Sequence, residues 1–125
     1  MVMLRKQILL IDDDALTLEL LTELLTDMNY VVTARESAAK AIKTFAENPE
    51  GFDLVLTDLM MPEMTGDTLS ERIHSLRLDM PVVLITAAPG KVTQERVAAA
   101  GIRKVLTKGM LKAELFAALQ AVLQQ

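Results

Sequence analysis

The chain has 125 residues, a hydrophobic fraction of 51% and neither Cys nor Trp. That size suits one domain with a real core, and the lack of Cys excludes a disulfide framework and a thiolate zinc site, which is compatible with a cytoplasmic setting. The net charge of −4 argues against nonspecific nucleic-acid binding by this domain.

The first apolar run, Ile8-Leu9-Leu10-Ile11, ends in Asp12-Asp13-Asp14. It is far shorter than the ~20 residues of a membrane span. Arg5-Lys6 is followed by only five apolar or neutral residues before Asp12, so no signal peptide is expected. Next, Leu21, Leu24, Leu25 and Met28 recur at i, i+3, i+4 and i+7, which predicts a half-buried helix. Asn29-Tyr30 turns into a short strand, Val31-Val32-Thr33-Ala34. Ser37 is placed to cap a second helix with Ala38, Ala41, Ile42 and Phe45 on one face. Asn48-Pro49-Glu50-Gly51 stops it.

Leu54-Val55-Leu56-Thr57 is a third strand and ends at Asp58, where a turn running to Gly66 begins. A helix with Leu69, Ile73 and Leu76 inward follows. Pro81-Val82-Val83-Leu84-Ile85 ends in Thr86, and Ala87-Ala88-Pro89-Gly90 is a loop with strong breakers. Residues 93–100 are Ala-rich and predict a helix, Val105-Leu106-Thr107 ends in Lys108, and residues 112–123 form a last helix with Leu115, Leu119, Val122 and Leu123 on its apolar face.

The order is thus βα five times over, with no internal repeat or linker, and 1–125 is read as a single domain. Strands that are continuously apolar are covered on both faces, which implies a doubly wound α/β parallel sheet. Ligands of such sheets bind at the carboxyl ends of the strands. Those ends carry carboxylates (Asp12, Asp13, Asp58), a hydroxyl (Thr86) and an ammonium (Lys108). Clustered carboxylates repel one another, and a hard cation such as Mg²⁺ relieves the repulsion. The set could stabilise charge on a transferring phosphoryl group with one carboxylate as acceptor; the residues alone leave open which one.

In these pieces the chain resembles the receiver domains of two-component signalling. The matching segments are Ile8 to Asp14, Asp53 to Gly66, Pro81 to Ala87, and Ala100-Gly101-Ile102 leading to Lys108. The resemblance implies a flavodoxin-like three-layer sandwich, (βα)5, with strand order 2-1-3-4-5. It implies that Asp58 accepts a phosphoryl group from a phosphohistidine. Asp13 and Asp58 would ligate Mg²⁺ with the backbone carbonyl of Met60, and Asp12 would act mostly through a metal-bound water. Thr86 and the Ala87 N–H would hold phosphoryl oxygens, and Lys108 would bridge phosphate and carboxylate. The implied partners are a histidine kinase or phosphotransfer domain and a downstream effector that the sequence does not name. No nucleic acid or membrane is expected to bind this domain, which would be a cytoplasmic signalling domain catalysing only its own phosphorylation and dephosphorylation. A hybrid sensor kinase is one possible parent.

Two positions depart from the family pattern. Receivers usually follow the lysine with a cis-proline; here Gly109 stands there, and the Lys108–Gly109 bond is expected to be trans with Gly109 at positive φ. Receivers usually carry an aromatic three residues before the lysine; here it is Val105, so output is expected to run through the loop after Thr86.

Asp12-Asp13 alone reads as a solvated turn, and only the register with Asp58, Thr86 and Lys108 favours a site. Asp14 is read as a helix cap, and Met60, Met61 and Met64 as packing rather than a thioether metal site. His74 is read as a surface residue, and Arg103, Lys104 and Lys112 as solvated. Two rival functions are a receiver fold that binds partners without phosphorylation, and a haloacid-dehalogenase-like phosphatase using Asp12. Leu16 stands where that phosphatase motif has Thr or Val.

Overall fold

The computed structural model describes residues 4–125. Five strands, β1 (Gln7–Ile11), β2 (Val31–Arg35), β3 (Leu54–Thr57), β4 (Val82–Thr86) and β5 (Ile102–Thr107), alternate with five helices. The helices are α1 (Ala15–Asp27), α2 (Ala38–Glu47), α3 (Gly66–Leu76), α4 (Gln94–Ala99) and α5 (Lys112–Leu123). Every strand pair is parallel and the order is β2-β1-β3-β4-β5, the doubly wound, flavodoxin-like topology expected.

The period-two alternation of the strands sorts their side chains into two cores. Leu9 and Ile11 of β1, Val55 of β3, and Val82 and Leu84 of β4 face a layer built with Ala41 and Phe45 of α2 and Leu69 and Ile73 of α3. Ile8, Leu10, Leu54, Leu56, Val83 and Ile85 face the opposite layer, where Leu21 and Leu25 of α1 meet Leu115, Leu119 and Val122 of α5. Each such buried aliphatic side chain contributes about 1.5–3 kcal/mol of transfer free energy. The central strands β1, β3 and β4 are buried on both faces because helices cover both, so they read as unbroken apolar runs.

Capping follows the expected chemistry at α2, where the Ser37 hydroxyl accepts from the Lys40 N–H at 3.2 Å. The short, Ala-rich α4 is defined by its surroundings rather than by propensity. Thr93 caps it by accepting from the Arg96 N–H at 3.1 Å. Arg96 reaches across to Asp67 (2.7 Å) and Glu71 (2.6 Å) of α3. The buried Ser70 hydroxyl donates to the Ala100 carbonyl at 2.7 Å.

Three details differ from the sequence-based expectations. β5 starts at Ile102, which pairs with Val82 of β4; the exposed Lys104 pairs with Val83, and Arg103 is bulged between them. Leu76, at the last residue of α3, is 45% exposed, because the helix ends before that turn is covered. His74 is half-buried: its Nδ1 lies 3.1 Å from the Ala100 carbonyl oxygen and its Nε2 2.8 Å from that of Met80, bridging two chain turns. Among the described residues, no helix is long and apolar enough to cross a membrane.

Candidate functional site

The strand order reverses at β1, which has β2 on one side and β3 on the other. Ile11 pairs with Thr57 at the carboxyl ends of β1 and β3, so the next residues, Asp12 and Asp58, stand side by side. The backbone fixes this join: the Asp58 N–H donates to the Ile11 carbonyl at 2.9 Å. Asp13 follows and is exposed. One carboxylate oxygen from each of Asp12, Asp13 and Asp58 falls within 4.8 Å of the others. Asp14 sits at the N-cap of α1 and accepts from the Thr17 hydroxyl at 2.6 Å.

Lys108 closes the site from the end of β5. Its Nζ lies 2.8 Å from Asp12 Oδ2 and 3.4 Å from Asp58 Oδ1. Asp58 Oδ1 also accepts from the Leu59 N–H at 2.9 Å. Asp12 is fully buried, and its Oδ1 accepts from the Asp14 N–H at 2.9 Å. Its Oδ2 faces the Lys108 ammonium and accepts no other hydrogen bond. Three converging carboxylates beside a single lysine leave a net negative cluster, which fits a hard, oxygen-preferring cation of the Mg²⁺ type.

The electrostatics follow from this crowding. Burial, and then the charge of Asp12, push the Asp58 carboxyl above its ordinary value, against the pull of Lys108 and the Leu59 N–H. Burial alone would lower the Lys108 ammonium, but Asp12 and Asp58 outweigh it and hold it above its ordinary value.

Thr86 ends β4 at 1% exposure. Its hydroxyl oxygen accepts from the Ala88 N–H at 3.0 Å, so it is tied to its own loop. Its carbonyl accepts from the Lys108 N–H at 2.9 Å, which couples the β4 and β5 ends. Ala87 is the next residue, at the mouth of the same loop. Met60 lies two residues past Asp58 with an exposed side chain.

All peptide bonds among the described residues are trans, and Gly109 has φ +86°. Val105 is half-buried and packs on the α2–α3 core layer, as do Val92 and Val97.

In the sequence Gly66 marks only the end of the turn after Asp58. A Cβ there would lie 2.3 Å from the Asp58 carbonyl oxygen and 2.8 Å from Leu84 Cδ2. The Gly66 N–H also donates to the Leu59 carbonyl at 2.7 Å. Only a residue without a side chain lets α3 begin this close to the acid. The sole hint in the sequence was a glycine opening a helix.

The family model described as the response regulator receiver domain matches residues 8–120. The chain is 41% identical over 81 residues to the two-component response regulator ORR24 of Oryza sativa subsp. indica, covering 65% of this chain and 13% of that protein. It is 36% identical over 118 residues to the transcriptional regulatory protein GlrR of Escherichia coli (strain K12), covering 94% of this chain and 26% of GlrR. The chain therefore spans a small part of the length of these relatives. Its fold superposes on the response regulator protein TrrA of Thermotoga maritima, solved in complex with Mg(2+)-BeF, with a TM-score of 0.85 and 26% identity. That likeness covers 94% of this chain and 98% of TrrA. Receivers of this kind are signalling domains of two-component systems rather than metabolic enzymes. With the family model covering nearly the whole described chain, the protein belongs to the response regulator receiver domain family.

Proposed function

We propose that this chain is the phosphoacceptor receiver of a two-component phosphorelay, with Asp58 as the acceptor. The observation that carries the reading is the joint placement of Asp58, the Asp12 and Asp13 oxygens within 4.8 Å, and Lys108 Nζ at 3.4 Å. The Leu59 N–H and Lys108 both hold Oδ1 of Asp58, which leaves Oδ2 to form the new bond. An Asp58 oxygen attacks the phosphorus of a phosphohistidine. The O–P bond forms as the P–N bond breaks, and the departing nitrogen keeps the electron pair. Asp58 serves better than Asp12 because its side chain is 8% exposed against 1%.

Asp13, Asp58 and the Met60 carbonyl would hold Mg²⁺, with Asp12 acting through a bound water. The ion offsets the negative charge of acceptor and phosphoryl group during transfer. Lys108 balances charge from the opposite side. The Thr86 hydroxyl and the Ala87 N–H bind phosphoryl oxygens, which requires Thr86 to give up its bond from Ala88. The product carries about −1.5 to −2 charges where Asp58 carried one, beside the buried Asp12 and the exposed Asp13. That change draws Thr86 inward and repositions the loop of residues 87–91 and α4, a local electrostatic event acting on a two-state element.

The donor is a histidine kinase or phosphotransfer domain, and the reader is an effector that senses the altered surface. Residues 1–125 act as one cytoplasmic unit. Reaction with acetyl phosphate and Mg²⁺ tests the reading: intact mass should show one added phosphoryl group, lost in Asp58→Asn. Beryllofluoride with Mg²⁺ should shift the amides of Leu59, Ala87 and Ala88. Absence of both effects would favour a partner-binding module that is never phosphorylated.

A further inference from the structure

We infer that Gly109 is a positioning residue for Lys108, acting through the turn that it completes; the inference rests on Asp58 being the phosphoryl acceptor.

The Met110 N–H donates to the Thr107 carbonyl at 3.3 Å, which closes a four-residue turn over Thr107-Lys108-Gly109-Met110. Gly109 is its third residue, at φ +86°. Lys108 is its second and lies outside the positive-φ region, since Asn29 is the one non-glycine residue found there among the described residues. This is the pattern of a type II turn, whose third position demands positive φ and so selects glycine. The turn sets the direction of Lys108. Its backbone N–H is pinned to the Thr86 carbonyl at 2.9 Å, and from there its side chain runs back to Asp12 at 2.8 Å and Asp58 at 3.4 Å.

Space is not the reason for glycine here. A Cβ at position 109 would meet nothing within 4 Å. Any effect of a small side chain at 109 therefore comes from the backbone dihedral. Alanine disfavours positive φ, whereas asparagine tolerates it. Alanine should flip the turn to a form that lacks positive φ at 109 and swing Lys108 away from the carboxylates. Asparagine should keep both. The consequence has a sign that general loosening would not produce. With Lys108 displaced, Asp12 and Asp58 lose a competing cation, so the site binds Mg²⁺ more tightly while transferring phosphoryl groups more slowly.

The test compares wild type, Gly109→Ala and Gly109→Asn. Phosphorylation by acetyl phosphate is followed by intact mass, Mg²⁺ affinity by amide-shift titration, and folding by circular dichroism. The alanine variant should phosphorylate about tenfold more slowly, because one preorganised charge is misplaced. It should also bind Mg²⁺ at least about threefold more tightly, because a nearby cation has moved off. Asparagine should restore both within about twofold. A folded alanine variant equal to wild type in both properties overturns the inference and leaves the acceptor reading intact. So does weaker Mg²⁺ binding in alanine, or an asparagine variant as slow as alanine. If wild type itself takes no label on Asp58, the acceptor reading fails instead.

Discussion

Lys108 Nζ stands 2.8 Å from Asp12 Oδ2 and is the only partner that buried oxygen has among the described residues. One lysine thus serves a cluster of three carboxylates. Asp58, pushed up by burial and by Asp12, shares the same cation at 3.4 Å. A divalent cation that reaches these carboxylates therefore stabilises the fold as well as the site. At a hundredfold excess over its Kd, Mg²⁺ should add about 2.7 kcal/mol to the unfolding free energy. EDTA should remove the gain, and Asp13→Asn should lose most of it. Urea denaturation with and without Mg²⁺ measures this, and equal midpoints would contradict the metal assignment.

Gly66 packs its backbone against the carbonyl of Asp58, where an added Cβ would come within 2.3 Å. The obstructing atom is main chain and cannot rotate away. Gly66→Ala should cost about 1–3 kcal/mol, the range for overpacking a filled site, and should slow labelling of Asp58 because the acid moves with its backbone. Denaturation midpoints and the acetyl phosphate rate check it together; a variant normal in both would show that the approach is looser than described.

Arg96 joins α4 to α3 through Asp67 and Glu71. Burial favours the neutral Asp67 carboxyl, but the Thr65 hydroxyl and the Arg96 guanidinium outweigh it, and its pKa lies below the ordinary 3.8. A depressed carboxyl contributes stability above its unfolded pKa and loses it as pH falls through the folded value. Arg96→Met should cost about 1 kcal/mol at neutral pH. The deficit should shrink below pH 3.8, the ordinary value for Asp67. Circular dichroism melts in urea over that range test the sign, and a deficit that grows in acid would refute it.

Val105, like Val92 and Val97, is partly buried against the α2–α3 core layer. It has no ring to swing, so its χ1 should be the same before and after beryllofluoride binding, while the amides of Ala87 and Ala88 shift. Three-bond couplings to its γ-methyls report the rotamer. A rotamer change as large as the loop change would return position 105 to the output route.

Much of this architecture was readable in advance because the cause was local. Four apolar runs stop at polar residues, and in a parallel sheet those stops share one edge, which placed Asp12, Asp13, Asp58, Thr86 and Lys108 together. Ser37 and the bounds of α5 followed from capping and apolar spacing. What escaped depended on tertiary partners. Arg103 and Lys104 look merely solvated until β4 offers Lys104 a register partner in Val83, with Arg103 bulged beside it. His74 looks solvated until the Ala100 and Met80 carbonyls arrive on either side of its ring. The approach of Lys108 to Asp12 and that of Gly66 to Asp58 are distances between residues more than seven positions apart, and no periodicity encodes them.

The central claim is that Asp58 carries the phosphoryl group. Wild type, Asp58→Asn and Asp12→Asn are each treated with acetyl phosphate and Mg²⁺, and the acid-labile label is located by peptide mass. A single label is expected on Asp58 in wild type, none in Asp58→Asn, and a slower label still on Asp58 in Asp12→Asn. A label that persists in Asp58→Asn and maps to Asp12 would contradict it.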